Sequence, residues 1–265
     1  MAEKTFDCIR AKSLFLRGRL REAFEEYLHG AVDEHNLQAA FNLAFMYYVG
    51  AGVPKNDYMA RKFWIASSNL EGGEAQFNLA LMCLRGQGEP ADFHEAAKLM
   101  KISAARGCVN AQLYLGVAYT LGYMFDPVDI ECLSLIPFYR VIKKNPNAYY
   151  LSGKGFDKRL EDERYEVISA DELNAMEMFE AAARHKDTTY IDEQVGVAKE
   201  TIGRSLIEGF GKDYDPREGY RMLETAALEH DFKAAALFLA AHKDEARFYG
   251  VDPKKIEHLL ETKES

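Results

Sequence analysis

Histidine is the side chain of this sequence best suited to metal or proton chemistry. The seven histidines are His29, His35, His94, His185, His230, His242 and His258. A zinc site needs closely spaced ligands, such as His-Glu-x-x-His or cysteines and histidines at short fixed intervals. No histidine of the chain stands in such a pattern. The sequence therefore predicts surface histidines and no metal site.

Nucleophiles and phosphate-binding glycines give no stronger signal. An activated serine of the Ser-x-x-Lys type needs a lysine three positions later, and no serine has one. Gly153-x-Gly155 and Gly209-x-Gly211 resemble phosphate loops in composition, but no strand pattern precedes either of them. Cys83 lies on an apolar helix face without a histidine partner, which indicates a small core residue. We predict that the protein is not an enzyme and needs no cofactor.

Composition narrows the classes of partner. The 265 residues carry a formal net charge of −9, and 48% of them are apolar. An acidic chain without a cluster of Lys and Arg is a poor ligand for nucleic acid, because phosphate contacts need a basic patch. No apolar run approaches the roughly 20 residues that cross a bilayer, so we expect no membrane segment, and the first residues lack the apolar run of a secretory signal. Cys8, Cys83, Cys108 and Cys132 form no recurring pair, which favours reduced thiols and a cytoplasmic location.

The elements that position these residues come from an internal repeat. Segments of one pattern begin at Ala39, Ala75 and Ala111, 36 residues apart. A fixed period in this range is typical of a solenoid, in which each helical unit buries its apolar face against its neighbours. Positions 1, 5, 8, 9 and 12 of each segment fall on one side of a helix and predict its inward face. Glycine pairs follow, and a second amphipathic stretch around Trp64 completes a helix-turn-helix unit with Trp64 in its core.

These residues carry a family resemblance. The pattern Ala-x-x-x-Leu-Gly/Ala-x-x-Tyr-x-x-Gly-x-Gly, followed by a second helix with Ala and an aromatic residue at fixed spacing, resembles the Sel-one-like repeat (SLR) family, which is related to the tetratricopeptide repeats. The resemblance implies an all-α fold, a right-handed superhelical solenoid of about six helix-turn-helix repeats with terminal capping helices. It also implies an adaptor or scaffold for protein complexes.

The repeat is interrupted after its third copy. Residues 143–170 predict an enlarged loop inside a degenerate unit, whose second helix resumes near Ser169 as the N-cap. The pattern returns at Ala198 and again at Ala234. One continuous solenoid is therefore expected, with an N-terminal capping helix pair at 1–38, three regular units at 39–146, the degenerate unit at 147–197, and a fifth unit, a partial sixth and a capping helix at 198–265.

A second face of the first helices could bind a partner. Positions 3, 7, 10 and 11 lie opposite the inward stripe. The resemblance to the SLR family implies that these positions line a concave groove. The predicted groove residues are Phe41, Phe45, Tyr48, Phe77, Leu81, Leu84, Arg85, Leu113, Val117 and Leu121. The returning repeat has a charged set in the same places, including Glu200 and Arg204. We interpret this contrast as favouring function over packing, although an inner helix that touches several neighbours could also need a wide apolar arc.

The sequence thus predicts a non-catalytic adaptor that binds a peptide or an amphipathic helix of another protein in this groove. A first alternative is self-association, with a second copy in the groove as in a homodimer. A second alternative is a small-molecule site or an enzyme built from Tyr119, Tyr123, Tyr149 and the irregular loop.

Overall fold

All regular structure in the described part of the chain is α-helical. The computed structural model describes residues 5–121, 171–185, 192–209 and 212–261, except for the side chains of residues 120, 121 and 172. Within these ranges the helices are α1 (Cys8–Leu16), α2 (Leu20–Val32), α3 (Leu37–Val49), α4 (Asp57–Ala66), α5 (Glu74–Arg85), α6 (Phe93–Ala105), α7 (Val109–Leu121), α8 (Glu172–Ala183), α9 (Asp192–Glu208), α10 (Pro216–Glu229), α11 (Lys233–Ala241), α12 (Lys243–Phe248) and α13 (Pro253–Glu261).

Among the helices of the described ranges, six begin at an Asp or Asn whose side chain accepts a hydrogen bond from the first turn. Such a residue satisfies backbone N–H groups that have no partner inside the helix. Asn56, for example, accepts from the Met59 amide at 3.0 Å and starts α4. The capping residues are Asp7, Asn36, Asn56, Asp92, Asp171 and Asp215.

The glycine pairs act as predicted at the ends of α3 and α5. Gly50 and Gly86 adopt the left-handed conformation at the two C-caps. Gly52, with φ of 75°, packs so closely that a Cβ would lie 2.4 Å from the carbonyl oxygen of Leu20, the first residue of α2. The turn after α3 therefore lies against α2, the second helix of the preceding pair, at a distance that only glycine allows.

The first compact unit covers residues up to Cys108 and contains α1 to α6. The predicted inward residues lie in its core, where Leu43 and Leu79 are buried together with Trp64. The Tyr47 ring stacks on Phe63 at 5.9 Å between centroids. Burial of this aromatic and aliphatic cluster is the main stabilising contribution in the unit.

The second compact unit begins at Val109 and contains α7 to α13. The Phe179 ring of α8 lies against Gly116 of α7, where a Cβ would be 2.8 Å from the ring. The cap of α8 is Asp171, which accepts from the Asn174 amide at 3.0 Å. The sequence placed this cap at Ser169, which lies outside the described residues. Asp171 takes this role because it directly precedes Glu172, the first residue of α8.

The predicted all-α helical-repeat fold is confirmed. The helices α1 and α2 lie within Thr5 to Val32, where the sequence predicted the N-terminal helix pair. The enlarged loop and the Gly153–Gly155 turn lie outside the described residues. The predicted boundaries at 1–38, 39–146, 147–197 and 198–265 stay a prediction.

Candidate functional site

The most exposed part of the predicted groove lies on α3 and α5 of the first unit. We call Phe41, Phe45, Phe77 and Leu81 the first-unit strip, since they occupy positions 3 and 7 of two consecutive repeats. Phe45 keeps 43% of its surface exposed, and the other three are half-buried. A partner that covers a phenylalanine this exposed removes its apolar surface from water, which contributes favourable binding free energy.

One aromatic neighbour of the strip was not predicted. The Phe15 ring of α1 meets Phe45 edge-on, with centroids 6.3 Å apart. Phe15 is itself half-buried, so the apolar surface continues from α3 onto α1. The only sequence signal was the run Leu14-Phe15-Leu16, in which no single helix face can bury all three side chains.

Polar groups close the strip at the C-terminal ends of α3 and α5. An Arg85 Nη1 donates to the Tyr48 hydroxyl at 3.1 Å, and that hydroxyl donates to Gln87 Oε1 at 3.3 Å. The Lys55 ammonium lies 5.5 Å from the centroid of the Tyr48 ring. The Trp64 ring packs against the same Tyr48 ring, with centroids 5.3 Å apart. Two cations therefore converge on one tyrosine, which is fixed in turn by the buried core.

Several predicted groove residues do not contribute surface. Leu84, Leu113 and Val117 are buried within the chain, and the side chain of Leu121 lies outside the described part. An α-helix that is apolar on all sides is commonly buried on all sides, and α7 follows that rule over Ala111–Ala118. The predicted groove residues that keep described exposed surface are accordingly those of the first-unit strip, together with Tyr48 and Arg85.

The charged set of the returning repeat has a different explanation from the one that the sequence suggested. Glu200 is fully buried and Arg204 is 12% exposed, and they form an ion pair of 2.5 Å within α9. The Arg204 guanidinium also lies over the Phe238 ring at 4.5 Å. The contrast with the returning repeat therefore gives no support to function over packing. A paired carboxylate and guanidinium stacked on an aromatic ring can occupy a buried position.

The residues considered for chemistry form no metal centre in the described ranges, where no group of three or more His, Cys, Asp and Glu could hold an ion. Cys83 is buried as predicted, and Arg61 Nη1 donates to its sulfur at 3.2 Å. Tyr119 is the described member of the alternative site, since Tyr123 and Tyr149 lie outside. Burial, and then the nearby Asp171 charge, raises the pKa of Tyr119, so its phenol is protonated at neutral pH.

One histidine prediction was wrong. His230 is not a surface residue, because only 8% of its side chain is exposed and both ring nitrogens have protein partners.

Comparison with known proteins assigns the repeats. A family model described as Sel1 repeat matches residues 37–71, 73–108, 160–187 and 202–231. The chain is a Sel1-repeat protein. The first two Sel1 repeats contain α3 to α6 and therefore carry the first-unit strip. Sel1 repeats generally mediate interactions between proteins.

One solved structure agrees with the Sel1-repeat fold. A Sel1 repeat protein from Oxalobacter formigenes is similar at 20% identity, over 96% of this chain and 82% of that one, with a TM-score of 0.62. This similarity shows the fold alone. A protective antigen present in uropathogenic Escherichia coli strains, which displays an SLR fold, is 22% identical over 88% of this chain and 53% of its own length, with a TM-score of 0.34. A comparison with curated proteins found no match. In the described ranges no helix is both long enough and apolar enough to cross a membrane.

Proposed function

We propose that this Sel1-repeat protein is a non-catalytic adaptor that binds a peptide or amphipathic helix of another protein on the first-unit strip. The exposure of Phe45 carries the proposal. Its helix neighbours Leu43 and Met46 are almost fully buried, so α3 already has a complete inward face without it. An aromatic residue on the opposite face, continued by Phe15, is the kind of anchor that dominates binding energy when a partner covers it.

Charge narrows the chemistry of the partner. Arg85 and Lys55 converge on Tyr48 at one end of the strip. A partner with apolar residues at helical or alternating spacing, and with an Asp or Glu at this end, would match both features. The preference is for an acidic group at a fixed distance from the apolar anchors, which gives specificity and orientation as well as affinity.

The proposal is tested by selecting binders from a random peptide display library on the full chain. We expect enriched peptides to share apolar anchors and an acidic residue, and to bind Phe45→Ser at least about tenfold more weakly by calorimetry, since an anchor of this kind contributes more than about 1.4 kcal/mol. The matched control is Ile65→Ser on α4, whose side chain is 53% exposed. Arg85→Glu should weaken the same peptides, and changing their acidic residue to Lys should restore part of the loss.

Enriched peptides that bind Phe45→Ser and Ile65→Ser equally would contradict the proposal. Self-association gives a different result. A stable homodimer on the strip would show doubled mass by light scattering without a partner, and Phe45→Ser would return it to a monomer. We also propose a cytoplasmic location, which is what the cysteine pattern predicts.

A further inference from the structure

A chain of three polar side chains links two helices in the second unit. Asp192 Oδ1 lies 2.7 Å from His230 Nδ1, and His230 Nε2 lies 2.6 Å from Lys199 Nζ. Asp192 and Lys199 are seven residues apart on α9, which puts them on one face of that helix. His230 follows the last residue of α10. The three groups form a continuous relay from a carboxylate through an imidazole to an amine.

A glycine makes the approach of His230 possible. A Cβ on Gly196, which lies between the other two groups on α9, would be 3.2 Å from the Cβ of His230 and 3.1 Å from that of Phe232. Contacts this short are rare between real side chains, so a larger residue would push the His230 segment away. The backbone is therefore arranged to hold the imidazole against α9.

The carboxylate fixes the tautomer of the ring. Because Asp192 accepts from Nδ1–H, the lone pair of the neutral imidazole is at Nε2 and faces Lys199. In the resting state the ammonium donates to that lone pair. The same geometry lets Nε2 take the proton away, and the Asp192 carboxylate stabilises the imidazolium that forms. This is the order of nucleophile, base and orienting carboxylate that activates nucleophiles in proteins.

The amine is partly open to solvent. The Lys199 side chain is 18% exposed, and its Nζ lies 3.9 Å from a carboxylate oxygen of Glu229, whose side chain is 69% exposed. The His230 side chain is less exposed, at 8%, so the amine is more accessible to a small electrophile than the imidazole is.

We propose that Lys199 is a site of acylation, and that its amine attacks the carbonyl carbon of a small acyl thioester or acyl phosphate. The ammonium first loses one proton to water through the exposed part of the Lys199 side chain, which frees the nitrogen lone pair. A nitrogen–carbon bond forms, and the carbon–sulfur or carbon–oxygen bond of the donor breaks with its electron pair on the leaving group. His230 takes the second proton from nitrogen and passes it to the leaving thiolate or phosphate. The products are an amide at Lys199 and a free thiol or inorganic phosphate.

The test uses the full chain with two donors in separate arms, acetyl phosphate and a small acetyl thioester. Initial acetylation rates are read for each lysine by peptide mass spectrometry. Lys98 is the internal control, since it pairs with Glu95 at 3.3 Å and has a side chain 68% exposed. Every chain tested carries His94→Gln, which removes the exposed histidine four residues before Lys98 on α6. Exposure alone would make Lys98 react faster. We expect Lys199 to react at least about tenfold faster than Lys98 with one or both donors, because general-base assistance is typically worth about 100-fold or more.

Two variants test the relay. His230→Gln removes the base and should lower the Lys199 rate at least about tenfold while leaving Lys98 unchanged. Asp192→Asn keeps the size of the side chain but offers an N–H to Nδ1, which moves the ring proton to Nε2 and should lower the rate in the same way. Circular dichroism checks that each variant is folded. If His230→Gln does not fold, the Lys199 rate in Asp192→Asn is the test of the relay. Rapid reaction with one donor alone identifies the source of the acyl group. The proposal is overturned if Lys199 reacts no faster than Lys98 with either donor, or if folded Asp192→Asn keeps the wild-type rate.

Discussion

Leu79 and Leu81 are two residues apart on α5, and shortening them should have different consequences. Leu79 is buried in the core cluster of the first unit with Leu43 and Met82. Leu79→Ala removes three carbon atoms, which at about 0.8 kcal/mol each gives roughly 2.4 kcal/mol of lost burial. The cavity that remains adds to this loss, and changes of this kind typically cost about 2 to 5 kcal/mol in total. Leu81 is half-buried on the strip, so the same change loses about 1 kcal/mol or less and leaves no closed cavity.

The assay can use a built-in reporter. Trp64 is the only tryptophan of the chain and is buried in the first unit, so its fluorescence follows the unfolding of that unit in urea. With a typical urea dependence, Leu79→Ala should lower the midpoint by roughly 1 M, and Leu81→Ala by a few tenths of that. Equal midpoint shifts for the two variants would refute the reasoning, because they would place Leu81 in the core.

Three further predictions concern stability. Gly52→Ala should destabilise the first unit by at least about 1–2 kcal/mol in urea unfolding, since φ is 75° and the new Cβ would clash with the carbonyl oxygen of Leu20. Burial raises the pKa of Tyr27 from 10.0 to about 12, and the nearby Cys8 adds to the shift. The unfolded chain therefore loses the Tyr27 proton first, and stability should fall as the pH rises from 10 towards 12. Tyr27→Phe should make this loss of stability smaller in melting curves recorded at alkaline pH. Arg204→Ala should cost about 3 kcal/mol or more by thermal unfolding, because it removes the ion pair of the fully buried Glu200.

Local sequence rules predicted the helices of the repeats well, because each unit repeats the same few signals. The glycines at 50 and 86 end their helices as expected, and Trp64 fills the core. These features depend on neighbours within one repeat or the next. The cap of α8 was predicted less well, since Ser169 and Asp171 both satisfy the N-cap preference and only the backbone geometry selects the aspartate.

The candidate site was only partly predictable. Position 7 of the repeat is the exposed Phe45 in the first repeat and the buried Val117 in the third. The same helix face is thus exposed in one repeat and covered in another. The burial of Arg204 depends on Phe238, 34 residues away, and the burial of His230 depends on the close approach at Gly196. Such contacts arise from tertiary packing and have no periodic signal in the sequence.

The claim that the first-unit strip serves binding and not folding is tested most directly by the double variant Phe45→Ser/Leu81→Ser. The measurement is its free energy of unfolding, followed by Trp64 fluorescence, together with its affinity for a selected peptide. The account predicts a loss of stability of less than about 2 kcal/mol, because both side chains are only partly buried, and a loss of affinity of at least about 100-fold. A double variant that unfolds as readily as Leu79→Ala, or that binds the peptide like wild type, would contradict the account.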